Sequence, residues 1–378
     1  MKAKAVIIGG GVIGLSLAWH LGRLGWRNVV VVEKGHLNGG ATGRCGGGVR
    51  EQWSSARNIE IMKRSISLFK SLASETGENV WFRQGGYLFL AKNDSHVAQL
   101  ETSVKLQNEH GSPTRMMTLG EIHRLCPYIN TDDVLAGSFN PNDGVLFPFS
   151  VAHAFAKGIK KHGNTLITHN PVTNIEVQSG KIRRVATEKV EIETSIVVNA
   201  AGTWAPAIGA MAGVDLPNYP EKHEALVTES LRPFLRPNLV PMDSGLFVSQ
   251  TMRGEIYACL GVEKGMAENY RSSFKFITAI SRAMVDLIPR LSAVKVLRQW
   301  GGYYDITPDT NPILGPVEGV EGFIQCHGFM GHGFMMAPAI GEIMAEFMVH
   351  EKIHPEIENC RLIRFQTGGL VAEKMIIG

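Results

Sequence analysis

Residues 5–33 constrain this chain more than any other stretch. Ala5-Val6-Ile7-Ile8 is followed by Gly9-Gly10-Gly11-Val12-Ile13-Gly14, then a helical run to Gly25, then Val29-Val30-Val31-Val32 closed by Glu33. The order is strand, tight turn, helix, strand, with G-x-G-x-x-G where the first strand hands over to the helix. Gly9 permits the turn, Gly11 lets a pyrophosphate approach backbone that carries no Cβ, and Gly14 lets helix and strand pack closely. The helix start at Val12 and Ile13 offers N–H groups and a positive dipole end to phosphates. Glu33, nineteen residues beyond Gly14, sits at the tip of the second strand, where a carboxylate accepts from both ribose hydroxyls and repels a ribose phosphate. With 42 glycines in the chain, the glycine pattern alone would carry little. Strand, helix and acid at matching distances make it a dinucleotide site. A secretory signal, suggested by Lys2 and Lys4 ahead of an apolar run to Trp19, is set aside because glycines interrupt the run and no small-residue cleavage site follows.

At 378 residues the chain exceeds one compact core, so two domains are expected. The composition, 44% hydrophobic and 19% charged, is that of an ordinary globular protein. A net charge of +3 with no basic run gives no reason to expect nucleic acid. Five scattered cysteines without a C-x-x-C argue against a disulfide framework or a metal knuckle and for a reducing, cytoplasmic setting. No apolar segment reaches the roughly 20 residues that span a bilayer. The longest candidate, 323–349, is interrupted by His327, His332, Glu342 and Glu346, so no transmembrane segment is expected.

A second glycine cluster, Gly39 to Arg50, follows the ribose acid and includes Ala41, Thr42, Arg44, Cys45, Gly46 and Gly47. Such flexible sequence costs entropy, and its position suggests backbone lying along a flat cofactor, with Thr42 and Arg44 near the phosphates and Arg50 beyond the ring. From Trp81 the texture changes: Trp81–Gln84 and Tyr87–Ala91 read as two strands joined at Gly85-Gly86, the start of an excursion into a second domain that returns near Gly144. Strands are expected over 166–169, 172–178 and 182–187. The run Ser195 to Asn199 ends in Ala200-Ala201-Gly202-Thr203-Trp204, small residues at the carboxyl end of a buried strand, where open α/β sheets bind ligands. A second excursion covers about 213–300, with His223, Glu224, Arg253 and Tyr257 as candidates to line a cavity. The chain returns through Gly301-Gly302-Tyr303-Tyr304 and the strand Phe323–Cys326. The loop His327–Met336 then leads to a helix expected to open near Pro338, with proline in its first turn. Its N-terminus is a second anion site.

With these clusters together, the chain resembles the D-amino-acid-oxidase-like family of FAD-dependent amine oxidoreductases over essentially its whole length. The matching pieces are Gly9–Gly14 with Glu33, Gly39–Arg50, Val198–Trp204, Thr307–Gly315 and Gly328–Met336. Its wording at Arg44–Gln52, Met62–Ser65, Lys222–Ala225 and Trp300–Tyr304 is similar to the β subunits of heteromeric sarcosine oxidases and, above all, of dye-linked L-proline dehydrogenases. The resemblance implies an α/β fold: a discontinuous GR2-type, Rossmann-like FAD domain (1–80, 141–212, 301–378) and an α+β substrate domain (81–140, 213–300) whose mixed or antiparallel sheet roofs the flavin. FAD contacts are then expected from the residues above together with Lys34, Val172, Gly301, Gly328, Gly331, His332, Gly333, Phe334 and Met335.

The resemblance further implies oxidation of a C–N bond in a small secondary-amine amino acid of the proline or sarcosine class, by hydride transfer to flavin N5. Arg50 matches the arginine that holds the substrate carboxylate, and His223, Tyr257, Tyr303 and His332 are the expected cavity wall. Gly302 stands where a cysteine tethers the flavin in monomeric sarcosine oxidase, so FAD should be non-covalent. Cys259 or a neighbour stands where the relatives place an oxygen-activating lysine, and the loss of that cation favours a dehydrogenase over an oxidase. Met335 replaces a lysine that holds carboxylate. Pro148 stands near the histidine that anchors FMN, so FMN at a subunit interface stays open only as a non-covalent guest. An α subunit or another electron-accepting partner is expected. A D-amino-acid or non-amine substrate, and a non-catalytic FAD-bearing subunit, remain alternatives.

Overall fold

The computed structural model describes residues 1–261, 269–368, 373 and 375. At its centre Ala5–Ile8 lies between Val29–Val32 and Val197–Asn199, each pairing parallel. All four valines of Val29–Val32 are buried; a run apolar at every position, rather than at alternate ones, marks a strand covered on both faces. Thr165–Ile167 extends the sheet at one side, and Phe323–His327 with the antiparallel Ile313–Pro316 at the other.

Four helices, Val12–Arg23, Ala56–Thr76, Gly333–His350 and Pro148–Lys161, carry the packing on one face. Where the first and third cross, a Cβ on Gly341 would fall 2.3 Å from Ser16 Oγ and 2.9 Å from the Leu17 nitrogen. Only glycine allows that approach. Ala56–Thr76 starts at the Ser55 cap, which accepts from the Asn58 N–H, and stops at Gly77 in the left-handed region, φ 71°, the residue type that closes a helix most cheaply. The helix Gly333–His350 opens at Gly333, with His332 at its cap, and Pro338 lies inside it. The opening expected near Pro338 is therefore corrected: the helix already begins at Gly333, because apolar side chains from Phe334 to Ala337 are buried there.

The second large sheet has eight strands, in the order Val296–Ile306, Tyr219–Ser230, Glu255–Leu260, Phe247–Gln250, Asn238–Pro241, Tyr87–Ala91, Ala136–Asn140 and Arg115–Met117. Its neighbours run antiparallel except Asn238–Pro241 beside Tyr87–Ala91, so the sheet is mixed. Phe274–Leu287 covers its outer face through Phe276, Ile280 and Met284. The strand Val296–Ile306 runs through residue 301, so the domain change expected there falls within a single strand. Trp81–Gln84 is no strand: Trp81 has φ 57°, and only Arg83 forms a bridge, to Val145. A left-handed residue breaks the extended run.

Candidate active site

The carboxyl ends of the parallel strands and the inner face of the mixed sheet enclose a cavity of about 700 Å3, a size usual for bound small molecules. One end is built almost entirely of backbone. Gly9, at φ 121°, turns the chain where a Cβ would sit 2.3 Å from the Ala200 carbonyl oxygen. Beside Gly11 a Cβ would meet only Thr42 Oγ1, at 3.3 Å, so the space there belongs to the cavity. Thr42 Oγ1 accepts from the Val12 N–H at 3.1 Å and ties the second glycine cluster to the helix start. Glu33 is fixed by two backbone donors, Gly10 N–H to Oε2 and Gly35 N–H to Oε1, both at 2.8 Å. Each carboxylate oxygen keeps a lone pair for a hydroxyl. Two helix N-termini, at Val12 and Gly333, reach the cavity with no acidic side chain in either first turn, which leaves their dipoles to an anion.

The opposite end is built of rings. Tyr257 lies over Gly46, Tyr87 over Gly48 and Tyr304 over Gly331, each so close that a Cβ on the glycine would fall within 2.4 Å of the tyrosine. His223 stacks on Tyr304 with centroids 3.7 Å apart, and its Nε2 lies 3.2 Å from Glu221 Oε1. Nearer the mouth, Tyr270 stacks on Tyr303 at 4.1 Å, Arg44 lies over Tyr270 and Lys34 over Trp204. Burial holds His332 well below the usual histidine range, with Arg50 adding to the effect. The ring is thus neutral. Burial also pushes the thiols of Cys45 and Cys259 up to about 12, so neither is a thiolate.

Of the residues expected from sequence, the cavity wall includes Gly9, Gly11, Val12, Ile13, Glu33 and Lys34 on the first segment, and Ala41, Thr42, Arg44, Cys45, Gly46 and Gly47 on the second. Val172, Ala200, Ala201, Gly202 and Trp204 join them, as do Gly331 to Met335 and the side chains of His223, Tyr257 and Tyr303. Five expected residues stand outside the wall; one of them, Arg253, is exposed and pairs with Glu255 instead. Gly14 lies behind it, where a Cβ would sit 2.2 Å from the Gly9 carbonyl oxygen. Gly301 packs against Tyr270, and Gly328 donates its N–H to Asp305 Oδ2 at 2.5 Å. Arg50 is wholly buried beneath the ring end. Its guanidinium lies between Trp53 and Phe89, donates to the carbonyls of Gln52 and Met375, and comes within 3.3 Å of His332 Nε2. In this structure it therefore faces protein rather than cavity.

Tyr87, Phe247, Tyr270 and Tyr304 also line the cavity, and sequence reasoning assigned none of them a role. For Tyr304 a signal existed: with a two-residue period it shares a strand face with Gly302, which faces Arg44. The others come from separate segments and carry no local mark.

The backbone cradle, the held carboxylate and two uncompensated helix starts fit the ribose, diphosphate and flavin of FAD along one cavity. Comparison with known proteins agrees. Residues 4–347 match the family described as FAD dependent oxidoreductase, DAO. Dimethylglycine dehydrogenase of Rattus norvegicus is 30% identical over 92% of this chain, but the chain spans only 43% of that relative's length. Sarcosine oxidase subunit beta of Rhodobacter capsulatus is 28% identical over all of this chain and 92% of its own. Among solved structures, L-proline dehydrogenase from P. horikoshii superposes with a TM-score of 0.94 at 36% identity, covering 98% of this chain and 99% of its own. Glycine oxidase from Bacillus cereus shares the fold, with a TM-score of 0.85 at 21% identity. From the glycine cradle to the full-length match, the observations converge, and the chain belongs to the DAO family of FAD-dependent oxidoreductases.

Proposed function

We propose that this chain is an FAD-dependent dehydrogenase that oxidises the C–N bond of a small secondary-amine amino acid, with L-proline its first candidate and sarcosine its second. The observation that carries the reading is the likeness, over nearly the whole of both chains, to L-proline dehydrogenase from P. horikoshii. Bound FAD would supply the electron-pair acceptor. Glu33 would hold the ribose hydroxyls, and the helix starts at Val12 and Gly333 the diphosphate and flavin carbonyl edge. Attachment would be non-covalent: Gly302 offers no side chain, and the buried thiols of Cys45 and Cys259 are poor nucleophiles because they stay protonated.

The ring end has work of its own. Tyr257, Tyr304 and His223 would desolvate the amine, and an apolar wall disfavours the ammonium form, which has no lone pair to assist oxidation. His332, kept neutral, adds no positive charge beside that amine. Arg50 would receive the carboxylate once its present protein acceptor gives way, a bidentate task suited to guanidinium. The proposal also takes the chain as one subunit of a heteromeric complex that passes electrons on; two relatives carry the name subunit beta, and co-purification of a second chain from the native source tests this.

Anaerobic titration of FAD-loaded protein with L-proline, sarcosine and D-alanine tests the substrate. Loss of the flavin absorption band with L-proline or sarcosine supports the proposal. A band that neither bleaches, or that D-alanine bleaches instead, overturns it.

A further inference from the structure

The setting of Arg50 raises a question that the cofactor cradle does not answer. Its Nη2 donates to the Met375 carbonyl, its Nη1 to the Gln52 carbonyl, and its Nε finds no partner among the described residues although the side chain is fully buried. Nε and Nη2 form the edge of a guanidinium that a carboxylate grips with both oxygens. A single carbonyl satisfies half of that edge, and a buried donor left unmatched is destabilising.

Two positions before that carbonyl's residue stands Glu373, which is anchored on several sides. Its Oε1 accepts from the Ser54 N–H and from the Met375 N–H, both at 3.0 Å, and its Oε2 from Ser55 Oγ at 2.7 Å and Asn58 Nδ2 at 2.9 Å. Its own N–H donates to Thr310 Oγ1 at 3.2 Å. Against its own burial, the bonds from Ser54, Ser55 and the Met375 N–H hold Glu373 below the usual carboxylate range. The Met375 side chain sits in an apolar cluster with Tyr87, Phe89 and Phe247, and Tyr87 and Phe247 belong to the cavity wall. The carbonyl on Arg50 and the side chain behind the ring end thus belong to one residue, two positions from that anchor.

We infer that Glu373 is a positioning residue: it straps the Met375 carbonyl across Arg50, and a ligand carboxylate must displace that carbonyl to take the Nε–Nη2 edge. The inference rests on the reading of Arg50 as carboxylate receiver. It adds that access to Arg50 is set from the start of the helix Ala56–Thr76, through the carboxylate bound there, and not from the cavity alone.

The test uses the FAD-loaded full chain and two non-oxidisable probes of one ring size, pyrrole-2-carboxylate and pyrrole, titrated while the flavin spectrum is recorded. Loosening the strap with Glu373→Gln or Glu373→Ala should tighten pyrrole-2-carboxylate binding at least fivefold and leave pyrrole unchanged. Carboxylate affinity that is unchanged or weakened, a parallel change for both probes, or no carboxylate-induced shift in any form overturns the inference. Where the variants do not fold, amide exchange on the unaltered protein decides. Saturating pyrrole-2-carboxylate should speed exchange of the Met375 amide, and unchanged or slowed exchange counts against the strap. Neither probe is oxidised, so failure of the strap is distinct from failure of the amine-oxidation proposal, which would show as an unbleached flavin with amine substrates.

Discussion

The two ends of the cavity are made by different means. At the cradle end, shape comes from backbone: Gly9, Gly11 and Gly14 stand where a Cβ would strike the chain or fill the groove, and the carboxylate there, Glu33, is itself held by two peptide N–H groups. At the ring end, shape comes from side chains carried by separate segments: Tyr87, His223, Phe247, Tyr257, Tyr304 and His332. The first end is set mainly within residues 9–47, closed by the strand end at Ala200. The second is assembled by tertiary packing.

The sharpest way to break this contrast is to add one Cβ to the cradle. Gly14→Ala places a methyl 2.2 Å from the Gly9 carbonyl oxygen, backbone that cannot step aside. It should cost on the order of 3 kcal/mol or more as overpacking and yield protein that retains no FAD. Thermal unfolding and flavin absorbance check both. A stable yellow variant would show that the cradle is more forgiving than its geometry. At the other end, Arg50→Ala should lower kcat/KM for the amino acid by about 2–5 kcal/mol, as for breaking a buried charge pair, while FAD stays bound. Loss of FAD in this variant would mean that the two ends are not independent.

Asp305 sits where the ends meet, bonded by Gly328 N–H and Asn218 Nδ2, both at 2.5 Å. Burial raises its pKa from 3.8 to about 6. The folded state therefore holds the proton more tightly than the unfolded one. The favourable contribution is full below pH 3.8 and is lost as pH climbs toward 6, a swing of roughly 3 kcal/mol at most. Asp305→Asn should remove that slope, read as the difference in stability between the two proteins across this pH window. The smallest expected effect returns to the cradle. Glu33→Gln keeps one good acceptor and should weaken FAD binding about tenfold, near 1.4 kcal/mol, measured by fluorescence titration.

The same contrast explains what the sequence made legible. Valines at every position announced the central parallel strands, and glycine spacing announced the turn, because both signals act within a few residues. The reach of the resemblance added the mixed roof sheet and the rings on His223 and Tyr257. Three features were not legible. Pro338 looked like a helix start, but burial of Phe334 to Ala337 carries the helix back to Gly333. Arg50 looked like a cavity residue, but its fully buried position depends on Trp53, Phe89 and Met375, the last more than 300 positions away. Tyr87 and Phe247 looked like ordinary strand residues, and only the sheet order brings them to one wall.

The central claim is that the backbone end holds an adenine-bearing flavin without a covalent bond. Denaturing the purified holoprotein and identifying the released flavin tests it directly. The account predicts one FAD per chain, fully released into the supernatant; FMN in its place, flavin that stays on the polypeptide, or a colourless protein that takes up no FAD when it is supplied would contradict it.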